Sequence, residues 1–307
     1  MGVFVTSLRV PSSDGVHTLA GVAAVPSGAP RAILHIVHGM TEHISRYTPT
    51  MRYFAELGIL CVGYDHLGHG YTARAGEHGF IAEEGGDGLL VRDVAVFAEA
   101  VKARYGADIP YILLGHSMGS FIVRLAAART FRPDKLIVMG TGGKNPVAGL
   151  ALKLIALNRK AYGAKHVSPF IDKLAFGSYN DRFKGEGNER NLWLTTRADV
   201  RKKYAADPLC TFRFSIAAMG DLIRLLKDSN DKSWYAALDK ALPVLLVSGS
   251  EDPVGAFGKG VREVYDKLLL TEHNAKMKLY EGARHEILND HSRDEVVADL
   301  LAFIDEK

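Results

Sequence analysis

Residues 111–128 read YILLGHSMGSFIVRLAAA: four apolar residues run into two glycines around a lone serine, and then into a helix-forming stretch. Glycine costs conformational entropy, and neither a strand nor a helix prefers it. The pentapeptide Gly115-His116-Ser117-Met118-Gly119 is a G-x-S-x-G match, which alone is weak. Its context is what counts: the apolar run YILL before it and the amphipathic run SFIVRLAAART after it predict a sharp strand-to-helix turn. Such a turn holds the serine in a strained conformation with its Oγ above the sheet, and the helix N-terminus behind it favours developing negative charge.

The rest of the chain repeats this alternation. VFVTSLRV (3–10) and HTLAGVAAV (17–25), separated by PSSDG, predict an antiparallel opening pair. AILHIVHG, ILCVGYDH, YILLGHS, KLIVMGTG, PVLLVSGS and MKLYEG follow, each a short apolar run ending in a polar or small residue. Continuous apolar strands belong to a sheet covered on both faces, hence a mostly parallel one. Between them, Val94, Phe97, Ala98 and Val101 mark one buried helix face, and Val297, Leu300, Leu301 and Ile304 mark another. The expectation is an α/β fold: a mostly parallel eight-stranded sheet flanked by helices, with ligands at the carboxyl ends of the strands. From Gly142 to Leu238 the alternation stops, and only helical segments such as PVAGLALKLIALNRKAYG occur. The expected division is therefore a core of 1–141 and 239–307 with a helical cap inserted at 142–238.

Composition excludes several classes. A 307-residue chain with 47% hydrophobic and 24% charged residues can bury a large core. A net charge of +3 without a basic block matching a nucleic-acid motif argues against nucleic acid. The densest basic patch, Arg197, Arg201, Lys202 and Lys203, reads as a solvated helix face, with docking to anionic lipid as the other option. Cys61 and Cys210 are too few for a disulfide framework, and no run approaches the ~18 apolar residues of a membrane span. A cytoplasmic location is expected.

A serine hydroxyl needs a base to take its proton and a third group to hold that base. Both should follow at later strand ends, and they do: PVLLVSGS leads into Glu251-Asp252-Pro253-Val254, and MKLYEGAR into His285. Asp252 is preferred to Glu251 because its shorter side chain suits a fixed bond to imidazole. An oxyanion hole needs two backbone N–H donors, each worth roughly 3 kcal/mol in the transition state. The amide of Met118, next to the serine, and that of Met40, in the loop after AILHIV, are the candidates.

No cofactor is needed for this chemistry, and none is expected. A metal is not expected either: His285-Glu286-Ile287-Leu288-Asn289 lacks the second histidine of a zinc helix, and His38, His43, His66 and His69 lack ligand-like spacing. Asp65, His66 and His69 are expected to serve as turn and network residues beneath the site. The stretch 147–157, apolar nearly all round, is expected to be cap core, the roof of an acyl channel through Leu150 and Leu154, or a face for transient contact with a membrane surface. Tyr179, Trp193 and Tyr204 are candidates for lining the cavity.

Five ordered motifs, HGMTEHISRY, YDHLGHG, GHSMG, SGSEDPVG and ARHEILND, resemble the monoglyceride lipase and lysophospholipase branch of the α/β-hydrolases, often labelled serine-aminopeptidase-like. The resemblance runs from about residue 13 to 305. It implies an α/β-hydrolase fold, a helical cap over the site, and hydrolysis of acyl esters such as monoacylglycerol or lysophospholipid through an acyl-serine. Where eukaryotic monoglyceride lipases place small residues after His-Gly, this chain has Met40 and Thr41; where many relatives have a second glycine, it has Ser120. Two other functions stay open at this point. An aminopeptidase would need cap carboxylates to hold a substrate ammonium, with Asp181, Glu186, Glu189 and Asp207 available. A ligand-binding receptor on a hydrolase scaffold would retain the three residues without turning over.

Overall fold

The eight apolar runs become eight strands of one sheet in a computed structural model that describes residues 2–187 and 189–306. They are β1 (Phe4–Pro11), β2 (Thr18–Val25), β3 (Ala32–Val37), β4 (Ile59–Tyr64), β5 (Tyr111–His116), β6 (Lys135–Met139), β7 (Val244–Gly249) and β8 (Ala275–Tyr280). Their spatial order is β1-β2-β4-β3-β5-β6-β7-β8. β1 pairs antiparallel with β2, and β2 with β4; every later pairing is parallel. The expected α/β class, opening pair and parallel body are all present.

The helices are α1 (Thr48–Glu56), α2 (Gly86–Tyr105), α3 (Met118–Arg129), α4 (Ala148–Tyr162), α5 (Pro169–Phe176), α6 (Ala198–Ala206), α7 (Ile216–Ser229), α8 (Lys232–Ala237), α9 (Lys259–Leu270) and α10 (Arg293–Asp305). Strand side chains alternate between faces, and here both faces are apolar. Ile33, Leu113 and Leu246 pack with residues of α2, α3, α7 and α9. Leu34, Ile112, Leu114 and Val247 pack instead with α1 and α10. That double burial is why the strands carry continuous apolar runs. Val94, Phe97, Ala98 and Val101 are buried on α2 as their spacing predicts. On α10, Val297, Leu300 and Ile304 are buried, but Leu301 is only partly so and Phe303 takes its place in the core.

The segment between β6 and β7 holds α4 to α8 and no strand among the described residues. It joins the core unevenly. α7 lies against α2, α3 and α4, and α8 against α3, whereas α4 and α5 leave Leu150, Phe170 and Leu174 exposed by 69%, 62% and 62%. The basic patch on α6 also divides. Lys202 and Lys203 are exposed, but Arg201 is buried, donating to the Thr195 and Thr196 carbonyls and pairing with Glu189. A solvated face is thus the wrong description of Arg201, whose guanidinium ties down the loop before its own helix.

Candidate active site

β5 delivers Ser117 at φ 55° and ψ −120°, a left-handed conformation that an L-residue with a Cβ rarely adopts. Two close approaches hold the turn. A Cβ on Gly115 would meet the Gly119 carbonyl oxygen at 2.3 Å, and one on Gly119 would meet that of Val37 at 2.0 Å. Both glycines are required by the packing of α3 onto β3 and β5. The Ser117 amide donates to Met139 of β6 at 3.0 Å, so the residue sits above the centre of the sheet.

The ends of β7 and β8 place the other two residues. Asp252 follows β7 and His285 follows β8; both are buried. His285 Nδ1 donates to Asp252 Oδ2 at 2.9 Å, and the Ser248 hydroxyl and Val254 amide also donate to that carboxylate, at 3.0 and 2.9 Å. Burial alone would raise the Asp252 pKa, but His285 and these two donors outweigh it and hold the group below its ordinary value. Glu251 points elsewhere, pairing with Arg182 at 3.2 Å. His285 Nε2 is buried without a hydrogen-bond partner, and His285 and Ser117 line one cavity. The amides of Met40 and Met118 donate to no protein acceptor among the described residues, and both residues line the same cavity.

Four charged residues beneath the site were not singled out by sequence reasoning. Glu42 Oε1 accepts from the Gly39 amide at 2.6 Å, the Tyr47 hydroxyl at 2.9 Å and His116 Nδ1 at 3.0 Å. Arg46 binds Glu42 and, through both Nη atoms at 2.7 Å, Glu286. Burial works against a charged His116, yet the Glu42 carboxylate raises its pKa above the ordinary value, and His116 in turn holds Glu42 well below its own. Glu42 and Glu286 are separated by 244 positions, and only the motif letters HGMTEH and ARHE hinted at them. Asp65, His66 and His69 lie in the network expected of them. Asp65 accepts from the Ile44 and Tyr71 amides, and the His66 amide donates to His38 Nε2. Burial pushes His66 down to about 4 and His69 to about 3, so both are neutral.

The cavity has a volume of about 1370 Å³, above the ~300–1,000 Å³ usual for ligand sites. Leu150, Leu154, Tyr179, Trp193 and Tyr204 all line it. Its walls on α4, α5 and α7 are largely apolar, with Leu154, Ile171, Met219 and Leu222 among them. Among the described residues, His43, Asp207 and Cys210 form the one group of three or more His, Cys, Asp or Glu whose ligand atoms all come within 4.8 Å of one another. His43 Nε2 already donates to Asp207 at 3.0 Å, and burial raises the Cys210 thiol, so the group reads as a polar link between the loop after β3 and the segment between β6 and β7.

This fold and site define an α/β-hydrolase. A family model described as serine aminopeptidase, S33, matches residues 28–292, and the chain belongs to that family. The chain is similar to the monoacylglycerol lipase of Mycolicibacterium smegmatis, with 27% identity over 96% of this chain and 98% of the relative. Human monoglyceride lipase is 28% identical over 85% of this chain and 77% of its own length. Among solved structures, a thermostable carboxyl esterase from Bacillus coagulans superposes with a TM-score of 0.91 at 29% identity, over 99% of this chain and 98% of that one. The monoglyceride lipase-like branch is the one these likenesses support. No helix among the described residues is long and apolar enough to cross a membrane.

Proposed function

We propose that the chain is a serine hydrolase that cleaves monoacylglycerol, lysophospholipid or similar acyl esters through an acyl-Ser117. The observation that carries the reading is the His285–Asp252 pair, with Nε2 left unpartnered, on the same largely apolar cavity that the strained Ser117 lines. Ser117 Oγ attacks the ester carbonyl as its proton passes to His285 Nε2. Asp252 holds the imidazole in the tautomer that can accept this proton and stabilises the imidazolium. The amides of Met40 and Met118 donate to the oxyanion. His285 then protonates the departing alcohol, and a water that it deprotonates releases the acid. No cofactor enters these steps.

Leu150 and Leu154 are assigned to the acyl chain, and Tyr179 and Trp193 to the end of the cavity near the reacting carbonyl. In this reading 142–238 is the cap and 1–141 with 239–307 the core. The exposed apolar side chains of α4 and α5 lie beside Lys153, Arg159, Lys160 and Lys173, a pattern suited to transient contact with a lipid surface. The two buried, unpaired thiols suit a reducing compartment, and the cytoplasm is the proposed location.

Ester hydrolysis is preferred to aminopeptidase action because the cap carboxylates are taken. Asp181 pairs with Lys184, Glu186 with Arg284, Glu189 with Arg201 and Asp207 with His43. A substrate ammonium would have to displace one of these partners. The test is a comparison of kcat/KM for monoacylglycerols and p-nitrophenyl esters of two to sixteen carbons with that for aminoacyl amides. Ester turnover with a chain-length optimum is expected; faster aminoacyl-amide turnover would replace the reading with the peptidase. Acylation that stops after one equivalent would replace it with a receptor.

A further inference from the structure

We infer that Trp193, carried by the inserted segment, is a positioning residue for His285, so that part of the cap is built into the catalytic centre. The inference rests on the reading of His285 as the base. Its starting point is that the imidazole is covered on two sides. The Trp193 ring lies with its centroid 5.0 Å from that of His285 and the planes tilted by 44°; the His116 ring lies at 4.7 Å and 40°. Nδ1 is pinned to Asp252. Rotation about either side-chain bond would drive the ring into one of these neighbours, and Nε2 is left as its one free polar atom.

Hydrogen bonds tie the same two segments together. Three consecutive residues of the base loop donate to three consecutive carbonyls of the cap: Arg284 Nη1 to Leu192 at 2.7 Å, the His285 amide to Trp193 at 3.5 Å, and the Glu286 amide to Leu194 at 2.7 Å. Thr195 Oγ1 donates to the Asn289 carbonyl at 3.0 Å. Trp193 is itself held, with its amide donating to Asn180 Oδ1 at 3.1 Å and its ring edge-on to Tyr179 at 5.0 Å. A segment bonded in this way moves with His285. Any opening of the cap is left to α4 and α5, which carry the exposed apolar side chains.

An indole face also attracts a cation within ~6 Å of its centroid. Trp193 therefore favours the imidazolium that forms as Ser117 attacks, as well as fixing where it forms. A residue that merely lined the substrate cavity would do neither.

The test uses the full-length protein and p-nitrophenyl acetate, whose acyl group is too short to need the cavity. Trp193→Ala should lower kcat by at least about tenfold with KM within about threefold, because small misplacements of catalytic groups are costly. Trp193→Phe should restore most of the loss. The emission that wild type has beyond Trp193→Phe should titrate with His285, and that titration should vanish in His285→Gln; Asp252, His116, Tyr179 and Glu286 are the other titratable groups nearby, and they remain in that variant. Unchanged kcat in a folded Trp193→Ala, or a rise in KM alone, would overturn the proposal. So would Trp193 emission blind to His285. Loss of fluorophosphonate labelling in wild type would instead remove the parent reading, and the two failures are distinct.

Discussion

His116 Nδ1 lies 3.0 Å from both the Glu42 carboxylate and the Tyr47 hydroxyl, and Nε2 donates to the His285 carbonyl at 3.3 Å. Burial disfavours a charged ring, but the Glu42 carboxylate outweighs it and draws His116 towards the imidazolium. One buried ring thereby joins the loop that carries Met40, the turn that carries Ser117, and the loop that carries His285.

This pair makes stability depend on pH in a defined direction. The folded pKa of Glu42 lies below its ordinary 4.5, so its contribution is present above that value and lost as pH falls through the depressed one. The folded pKa of His116 lies above 6.5, so its contribution is present below 6.5 and lost as pH rises through the raised value. Urea unfolding of wild type and Glu42→Gln should therefore differ most between about pH 4.5 and 6.5, with the gap narrowing as pH rises above that window. A gap that widens with rising pH would contradict the assignment.

The acid position separates two adjacent carboxylates. Asp252→Asn leaves the bond to His285 in the wrong tautomer and should cost about 10⁴ in kcat. Glu251→Gln removes a partly exposed pair with Arg182 and should stay within about threefold. Steady-state kinetics on one ester decide between them, and a greater loss in Glu251→Gln would reverse the roles.

Gly119→Ala tests the turn by sterics alone. Its new Cβ would stand 2.0 Å from the Val37 carbonyl oxygen, with helix α3 and strand β3 both fixed. A stability loss of at least about 2 kcal/mol is expected by chemical denaturation. A variant as stable as wild type would mean that α3 can shift away from the sheet without penalty.

Leu154→Trp should shorten the acyl cavity from the α4 side, since Leu154 is partly buried there. The expected result is a loss of about tenfold or more in kcat/KM for sixteen-carbon esters, with four-carbon esters little changed. Equal loss on both would place the acyl chain elsewhere.

The fold was legible because its signals are local. Apolar runs such as AILHIV and YILLGH are buried on both faces over their whole length, and that double burial is written residue by residue. The order of serine, acid and histidine at strand ends was legible for the same reason. Glu42, Arg46, His116 and Glu286 were not, because an ion pair between residues 240 positions apart leaves no periodicity. Arg201 looked like one more surface cation, and only the fold of the loop before it turns its guanidinium inward. The stretch 147–157 stayed ambiguous because it serves several environments: Ile155 is buried beside α7, Leu150 and Leu154 line the cavity, and Leu157 is exposed.

The central claim is that Ser117 is a nucleophile activated by His285. Its most direct measurement is covalent labelling by a fluorophosphonate, with the modified peptide located by mass spectrometry, in wild type, Ser117→Ala and His285→Ala. The account predicts one equivalent on Ser117 in wild type, none in Ser117→Ala, and labelling slowed by about 10³-fold or more in folded His285→Ala. Labelling at another residue, or at an unchanged rate without His285, would contradict it.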